Sequence, residues 1–243
     1  MSQSQPVGPV TSSSPALAPN AASPSAILHG KHVTLRPLSP SDAPLLFKCL
    51  CGPPDDALWT YMHGGPYPDL ESFTSYISSL CNGGAIFPLV ILLRPEDGTA
   101  DGVPVGITTL LAIVPAHRSI EIGYVTYARQ LQRTTAATEA VFLLLQYSFD
   151  VLGYSRVEWK CNALNGPSKA AAKRLGFVAE GEFRKHMIVK GRRRDTAWFS
   201  ILDDEWQAGV KKALVEWLDE GNFDSHGIQK RKLEEIRQET IKD

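Results

Sequence analysis

The sequence predicts a mixed α/β (α+β) domain, and three observations carry that prediction. Three strand-like segments follow one another, "FPLVILL", "VGITTLLAIV" and "SIEIGYVTY". The last of them leads through the short loop "LQRTTAATEA" into a long apolar helix. A strand-helix pair, two strands and a closing helix then complete the pattern. With 243 residues, 43% of them hydrophobic, the chain is long enough for one full core with appendages.

Taken in order, "KHVTLRPLS" reads as the first strand. Ser39 or Ser41 with Asp42 supplies N-cap chemistry for a helix through "APLLFKCL". A second helix fits "DLESFTSYISSL", ended by Asn82-Gly83-Gly84. The stretch from Pro95 to Pro104, with its Gly and Asp, makes the turn between the first two of the three strands. In "IEIGYVTY" strict alternation places Ile120, Ile122 and Tyr124 on one face and Glu121, Gly123 and Val125 on the other. After the loop, Val141, Leu144, Leu145, Ser148, Phe149 and Leu152 recur at helical spacing up to Gly153. "RVEWKCNA" is a further strand, and "NGPSKAAAKRLGF" is a helix with Pro167 or Ser168 in its first turn and Gly176 as its stop. "GEFRKHMIVKGRRRDTAWFSIL" reads as two strands joined near Lys190-Gly191, and "DDEWQAGVKKALVEWLDE" as the closing helix. Residues 1–27, rich in Ser, Pro and Ala, are expected to be disordered, residues 28–220 to form the domain, and residues 221–243 to be a charged helical tail.

Composition excludes several classes. The formal net charge of -1 gives no field that would gather nucleic acid, and Arg192-Arg193-Arg194 reads as a solvated hairpin tip. No apolar run approaches the roughly 20 residues of a membrane span, and the first residues lack the basic and apolar regions of a signal peptide. Cys49, Cys51, Cys81 and Cys161 form neither paired CxxC motifs nor a His/Cys cluster, so no metal and no disulfide framework is expected. A reducing, cytoplasmic location and a monomer or homodimer are the matching expectations.

A loop opening a helix presents unpaired N–H groups and the positive end of the helix dipole, so "QRTTAA" can hold an anion without a charged side chain. Its threonine hydroxyls add donors. Several further motifs occur in a fixed order: "EIGY", "TEA", "NxxS", "LGF" with "EGxFR", and "RD" before a strand. Together, over roughly residues 30–206, they resemble the GCN5-related N-acetyltransferase superfamily, in its branch that acetylates the N-termini of ribosomal proteins. That resemblance implies a mostly antiparallel sheet of six to seven strands, splayed at its centre and flanked by helices. The resulting cleft would bind acetyl-coenzyme A as cosubstrate. In the family a loop of pattern Q/R-x-x-G-x-G/A holds the pyrophosphate. Here Gln132, Arg133, Thr134, Thr135, Ala136 and Ala137 match it, with Thr135 in the place of the glycine. Asn165 matches the residue that bonds the pantetheine arm. Ala172 stands where many members carry a thiolate-protonating tyrosine, and Ser168 matches the serine that replaces it in this branch.

An amine attacks a thioester only when neutral, and amine pKa values run from about 8 for an α-amine to about 10 for lysine, so a base is needed. Glu121 is the candidate on the cleft strand, against the alternative of an ion-paired or surface glutamate. Glu158 and Glu182 are secondary candidates, and Glu139 is assigned to the helix dipole. Backbone donors from Tyr124, Val125 and Thr126 would stabilise an oxyanion. Ser168 is either the acid for the departing thiolate or a helix cap. Lys169 and Lys173 share a helix face that is either solvated or turned to a coenzyme phosphate. Trp159 and Phe177 belong to the core, and His186 is structural or exposed. The expected activity is transfer of an acetyl group to a primary amine of unknown identity. The alternatives are a non-catalytic acyl-coenzyme A-binding module and, disfavoured by the lack of GxxxxGK[ST], a nucleotide-binding protein.

Overall fold

The computed structural model of the chain describes residues 8–10, 14–23, 26–95 and 102–240. Parts of three expectations therefore lie outside the described residues: 1–7, 11–13 and 24–25 of the leading segment, 96–101 of the turn after Pro95, and 241–243 of the tail.

The described residues hold eight strands, β1 (Leu28–His29), β2 (Val33–Pro37), β3 (Phe87–Leu93), β4 (Val103–Val114), β5 (Ser119–Tyr127), β6 (Arg156–Asn162), β7 (Val178–Val189) and β8 (Arg192–Leu202). They form one sheet in the order β1-β2-β3-β4-β5-β6-β8-β7. The helices are α1 (Ala43–Leu50), α2 (Leu70–Asn82), α3 (Thr135–Gln146), α4 (Gly166–Leu175), α5 (Lys211–Leu218) and α6 (Leu233–Thr240). The count exceeds the expected six to seven strands because β1 is a two-residue pairing, Leu28 with Leu35 and His29 with Thr34. In β3, Phe87 and Leu89 to Leu92 are all buried, which is why its sequence is apolar throughout rather than alternating.

Every neighbouring pair is antiparallel except β5–β6, which is parallel and short, matching only Ser119, Ile120 and Glu121 with Arg156, Val157 and Glu158. Past Glu121 the two strands part. A bulge sits where they do: Ile107 pairs with Thr126 but Thr109 with Gly123, so Tyr124 and Val125 oppose Thr108 alone. Tyr124 takes a left-handed φ of 51°. The strict alternation expected for β5 therefore ends at Gly123.

Helix α3 is anchored from an unexpected direction. The Glu139 carboxylate accepts the amides of Lys31, His32 and Val33 at 2.8, 2.7 and 2.9 Å, tying the helix to the start of β2 rather than serving its dipole. Gly30 is required beside it, since a Cβ there would stand 2.5 Å from the Glu139 carboxyl carbon. The closing helix is interrupted. A helical turn at Asp203–Glu205 runs into a wide turn at Trp206–Val210, with Gly209 non-helical, before α5 begins. Trp206, fully buried, stacks on Phe149 at 5.4 Å and donates its indole N–H to Asp150.

The flanking segments touch the domain. Ala16 is buried and donates its amide to Pro115 O at 3.0 Å, and Leu17 donates to Leu152 O at 2.8 Å. In α6, Leu233 and Ile236 are buried, and the Arg237 guanidinium donates to the carbonyls of Arg174 and Lys173 at the end of α4. The Lys173 carbonyl also accepts the Gly176 amide that ends the helix, so Arg237 adds to that cap.

Candidate active site

The parting of β5 from β6 opens a cavity of about 1170 Å³. One wall is β5 from Glu121 to Tyr127, the other is β6 from Trp159 to Asn162 with the start of α4, and the floor is the loop into α3. Of the residues singled out from sequence, Glu121, Tyr124, Val125, Thr126, Gln132, Arg133, Thr134, Thr135, Ala137, Asn165 and Ser168 all line it. Ala136 does not; it is buried beneath the loop.

The loop is built by short local bonds. Gln132 uses its side-chain amide to hold Tyr127 O at 2.8 Å, pinning the loop to the end of β5. Thr134 is the N-cap of α3: its hydroxyl donates to Leu131 O at 2.6 Å and accepts from the amide of Ala137 at 3.1 Å. Ala137 thus spends its amide within the protein, and the amides of Arg133, Thr134, Thr135 and Ala136 find no acceptor among the described residues. The left-handed residue of the loop is Arg133, at φ 61°. Thr135 opens the helix with ordinary angles, so its position needs no glycine for conformation.

Across the cavity, Asn165 caps α4, its side-chain oxygen accepting from the amide of Ser168 at 3.1 Å. Ser168 is therefore not the cap. Its hydroxyl oxygen accepts the Trp159 indole N–H at 3.0 Å, and its proton is within reach of the Cys161 sulfur on the cavity wall. Ala172 is fully buried in the core. Lys169 and Lys173 stay off the cavity wall, and Arg174 takes that place, bonded to Thr138 Oγ1 at 3.0 Å and lying over the Trp217 ring at 4.5 Å. Beyond it, Trp217, Phe223, Gly227 and Gln229 from the C-terminal segment close that end.

At the other end stands a charged group assembled from three strands. Glu121, 6% exposed, pairs with Lys160 Nζ at 2.8 Å, and Lys160 also reaches Glu158 at 3.2 Å. Glu158 accepts from Arg156, which pairs with Glu180. Charges alternate along this row, and it ends on Glu121 at the cavity. Burial raises the Glu121 carboxyl above the ordinary range, and the bond from Lys160 offsets only part of that. Glu182 is exposed on the edge strand β7 and takes no part. His186 lies outside the cavity and meets Thr196 Oγ1 through Nδ1 at 3.0 Å.

Sequence reasoning missed three cavity residues here, Lys160, His63 and Arg194. The His63 and Arg194 side chains meet at 3.4 Å although 131 positions separate them. Arg194, from the run read as a solvated tip, is only 7% exposed. His63 stacks obliquely over Tyr124, 6.0 Å between centroids. Burial first, then the Arg194 and Lys190 charges, hold its imidazole below the ordinary range and therefore uncharged near neutrality. Cys161 is the one cysteine on the wall, and burial raises its thiol, so it stays protonated rather than becoming a nucleophile.

Residues 32–178 match the family model for an acetyltransferase (GNAT) domain. The chain is 32% identical over 107 residues to the "Putative ribosomal N-acetyltransferase YdaF" of Bacillus subtilis (strain 168), a match spanning 44% of this chain and 58% of that relative, less than two thirds of it. Among solved structures, it is similar to a GCN5-related N-acetyltransferase from Brucella melitensis, at TM-score 0.85 and 39% identity over 93% of this chain and 98% of the other. It is also similar to Mycobacterium smegmatis RimJ in complex with CoA-disulfide, at TM-score 0.61 and 27% identity, with 76% and 88% of the two chains covered.

Proposed function

The chain belongs to the GNAT family of N-acetyltransferases, and from that premise we propose that it transfers the acetyl group of acetyl-coenzyme A to a primary amine, of a protein N-terminus or a small molecule, by direct attack in a ternary complex. One observation carries this reading: a single cavity joins the unspent amides of Arg133, Thr134 and Thr135 at the start of α3 to a buried carboxylate whose affinity for protons is raised.

The fit to the coenzyme rests on the loop. The amides of Arg133 to Thr135 and the dipole of α3 suit a pyrophosphate, and the ordinary backbone of Thr135 removes the conformational objection to its replacing glycine. That objection was one of two grounds for a non-catalytic alternative, the other being the tyrosine replaced by Ala172. Asn165 keeps its side-chain N–H groups for the pantetheine arm, its oxygen being spent on the cap. Acetyl-coenzyme A would supply the activated acyl thioester.

The chain's own residues then divide the proton work. Glu121 takes a proton from the incoming ammonium, directly or through one water, and its raised pKa narrows the gap to the amine. Lys160 holds that carboxylate in place. The bulged Tyr124–Thr126 backbone offers donors to the carbonyl oxygen as it gains charge. Ser168 would give its hydroxyl proton to the departing sulfur, exchanging its bond to Cys161 for one to the thiolate.

Glu121→Gln tests the base. It should lower kcat by about 10- to 1,000-fold and leave coenzyme affinity nearly unchanged. The sign of the pH dependence follows from the upward shift: wild-type kcat should rise with pH through a limb lying above the ordinary carboxylate range, and that limb should vanish in the variant. A wild-type kcat and an unchanged acidic limb would remove Glu121 from the mechanism.

A further inference from the structure

Of the three cations that line the cavity without an ion pair among the described residues, Arg133, Arg174 and Arg194, Arg194 alone is buried. The neighbouring cations are matched: Lys160 touches Glu121 and Glu158, and Arg156 touches Glu158 and Glu180. Arg194 is 7% exposed, yet no carboxylate lies within ion-pair distance of it among the described residues. Its Nε donates to Thr196 Oγ1 at 3.2 Å, and Nη1 lies 3.4 Å from His63 Nε2. Nη2 has no acceptor among the described residues, although the residue lines the cavity. A buried, uncompensated guanidinium is costly, and its planar fork suits a carboxylate in two-point contact.

The fold indicates where its missing anion comes from. The amides suited to the coenzyme's phosphates lie past the end of β5, and Glu121 to Tyr127 spans about 20 Å of strand. Arg194 instead stands with His63 beside Tyr124, midway along that wall and within the electrostatic reach of Glu121. The acceptor is the component that must meet Glu121.

We propose that the acceptor is a small primary amine bearing a carboxylate, an amino-acid-like molecule whose acid group is bound by Arg194 while its amine faces Glu121. This rests on the N-acetyltransferase reading above. Uncharged His63 serves the same end, since it accepts from Arg194 without adding a competing charge. A polycationic acceptor would instead meet Arg194 and Lys160, with Glu121 the one carboxylate lining the cavity among the described residues.

Acetyl transfer to α-amino acids and to the corresponding amino-acid amides tests the proposal, because each amide keeps the amine and loses only the charge. Across the panel of proteinogenic amino acids, the wild-type protein should use at least one free acid with kcat/KM about 10-fold or more above its amide. Arg194→Gln should cut transfer to that acid by about 100-fold and leave the amide within about 3-fold, with Arg194→Lys intermediate. Melting temperature and acetyl-coenzyme A affinity of each variant show that it is folded and loaded. Amides used as well as acids, or a peptide N-terminus or spermidine used in preference, would overturn the proposal. An equal loss on acid and amide would assign Arg194 to the departing thiolate and overturn it too. So would binding of acetyl-coenzyme A with no amino acid acetylated, whereas failure of the wild-type protein to bind acetyl-coenzyme A at all would strike the N-acetyltransferase reading itself.

Discussion

Ser168 and Asn165 stand three positions apart at one helix start and hold separate tasks, which makes them separable by mutation. Asn165→Ala removes the cap and should cost about 1 kcal/mol in denaturant unfolding. Ser168→Ala keeps the cap but leaves the Trp159 indole N–H without its acceptor, a loss of about 1–2 kcal/mol. Stability alone therefore does not reveal an acid. An acyl donor with a better leaving group does: it should partly restore the kcat lost in Ser168→Ala, and equal loss with both donors would reduce Ser168 to a packing role. At this scale legibility followed sequence distance. The loop from Gln132 to Ala137 and the "NGPS" start of α4 are contiguous, so the sequence alone could place the residues of each together. His63, Lys160 and Arg194 come from a loop and two strands, and only folding brings them beside Glu121. The Arg192–Arg194 run was read as one exposed tip because strand alternation could not say which of three arginines turns inward. Arg192 and Arg193 are exposed, and Arg194 is buried.

At the scale of elements, strands and helices announced themselves where burial is uniform or strictly periodic. β3 begins and ends where its apolar run does, and β5 keeps the bounds of the segment "SIEIGYVTY" although its alternation fails at the bulge. Two features escaped. The bulge in β5 leaves no trace in composition because Tyr124 takes its left-handed φ without a glycine. The break before α5 lies inside a good helical pattern, where Gly209 was the only sign. The tie between α3 and β2 also spans more than a hundred residues and was invisible locally. It matters for the site, since α3 carries the phosphate loop. Glu139→Ala would strand three amides, one of them buried, and should cost about 3 kcal/mol or more in chemical denaturation. Gly30→Ala should destabilise for the complementary reason, its methyl group entering the volume of the same carboxylate. If Glu139→Ala unfolds at the wild-type denaturant midpoint, the anchor is idle.

For the whole molecule, we propose that the C-terminal segment belongs to the folded unit, supported by the buried Leu233 and Ile236 and by the hold of Arg237 on the end of α4. A ligand selective for the folded state stabilises it by mass action. Acetyl-coenzyme A at 100 times its dissociation constant should therefore add about 2.7 kcal/mol and raise the melting temperature by several degrees. No shift at millimolar coenzyme would contradict the proposed function. The short parallel seam between β5 and β6 has one more effect. Strands β1 to β5 and β6 to β8 are two antiparallel ladders, stitched to each other by three residue pairs. Sub-global opening along such a seam breaks few ladder bonds, so amide deuterium uptake should be faster at Glu121 and Val157 than in the middle of β3. A coenzyme lodged between the ladders would be in contact with both, and slower uptake along the seam would record that union directly, residue by residue.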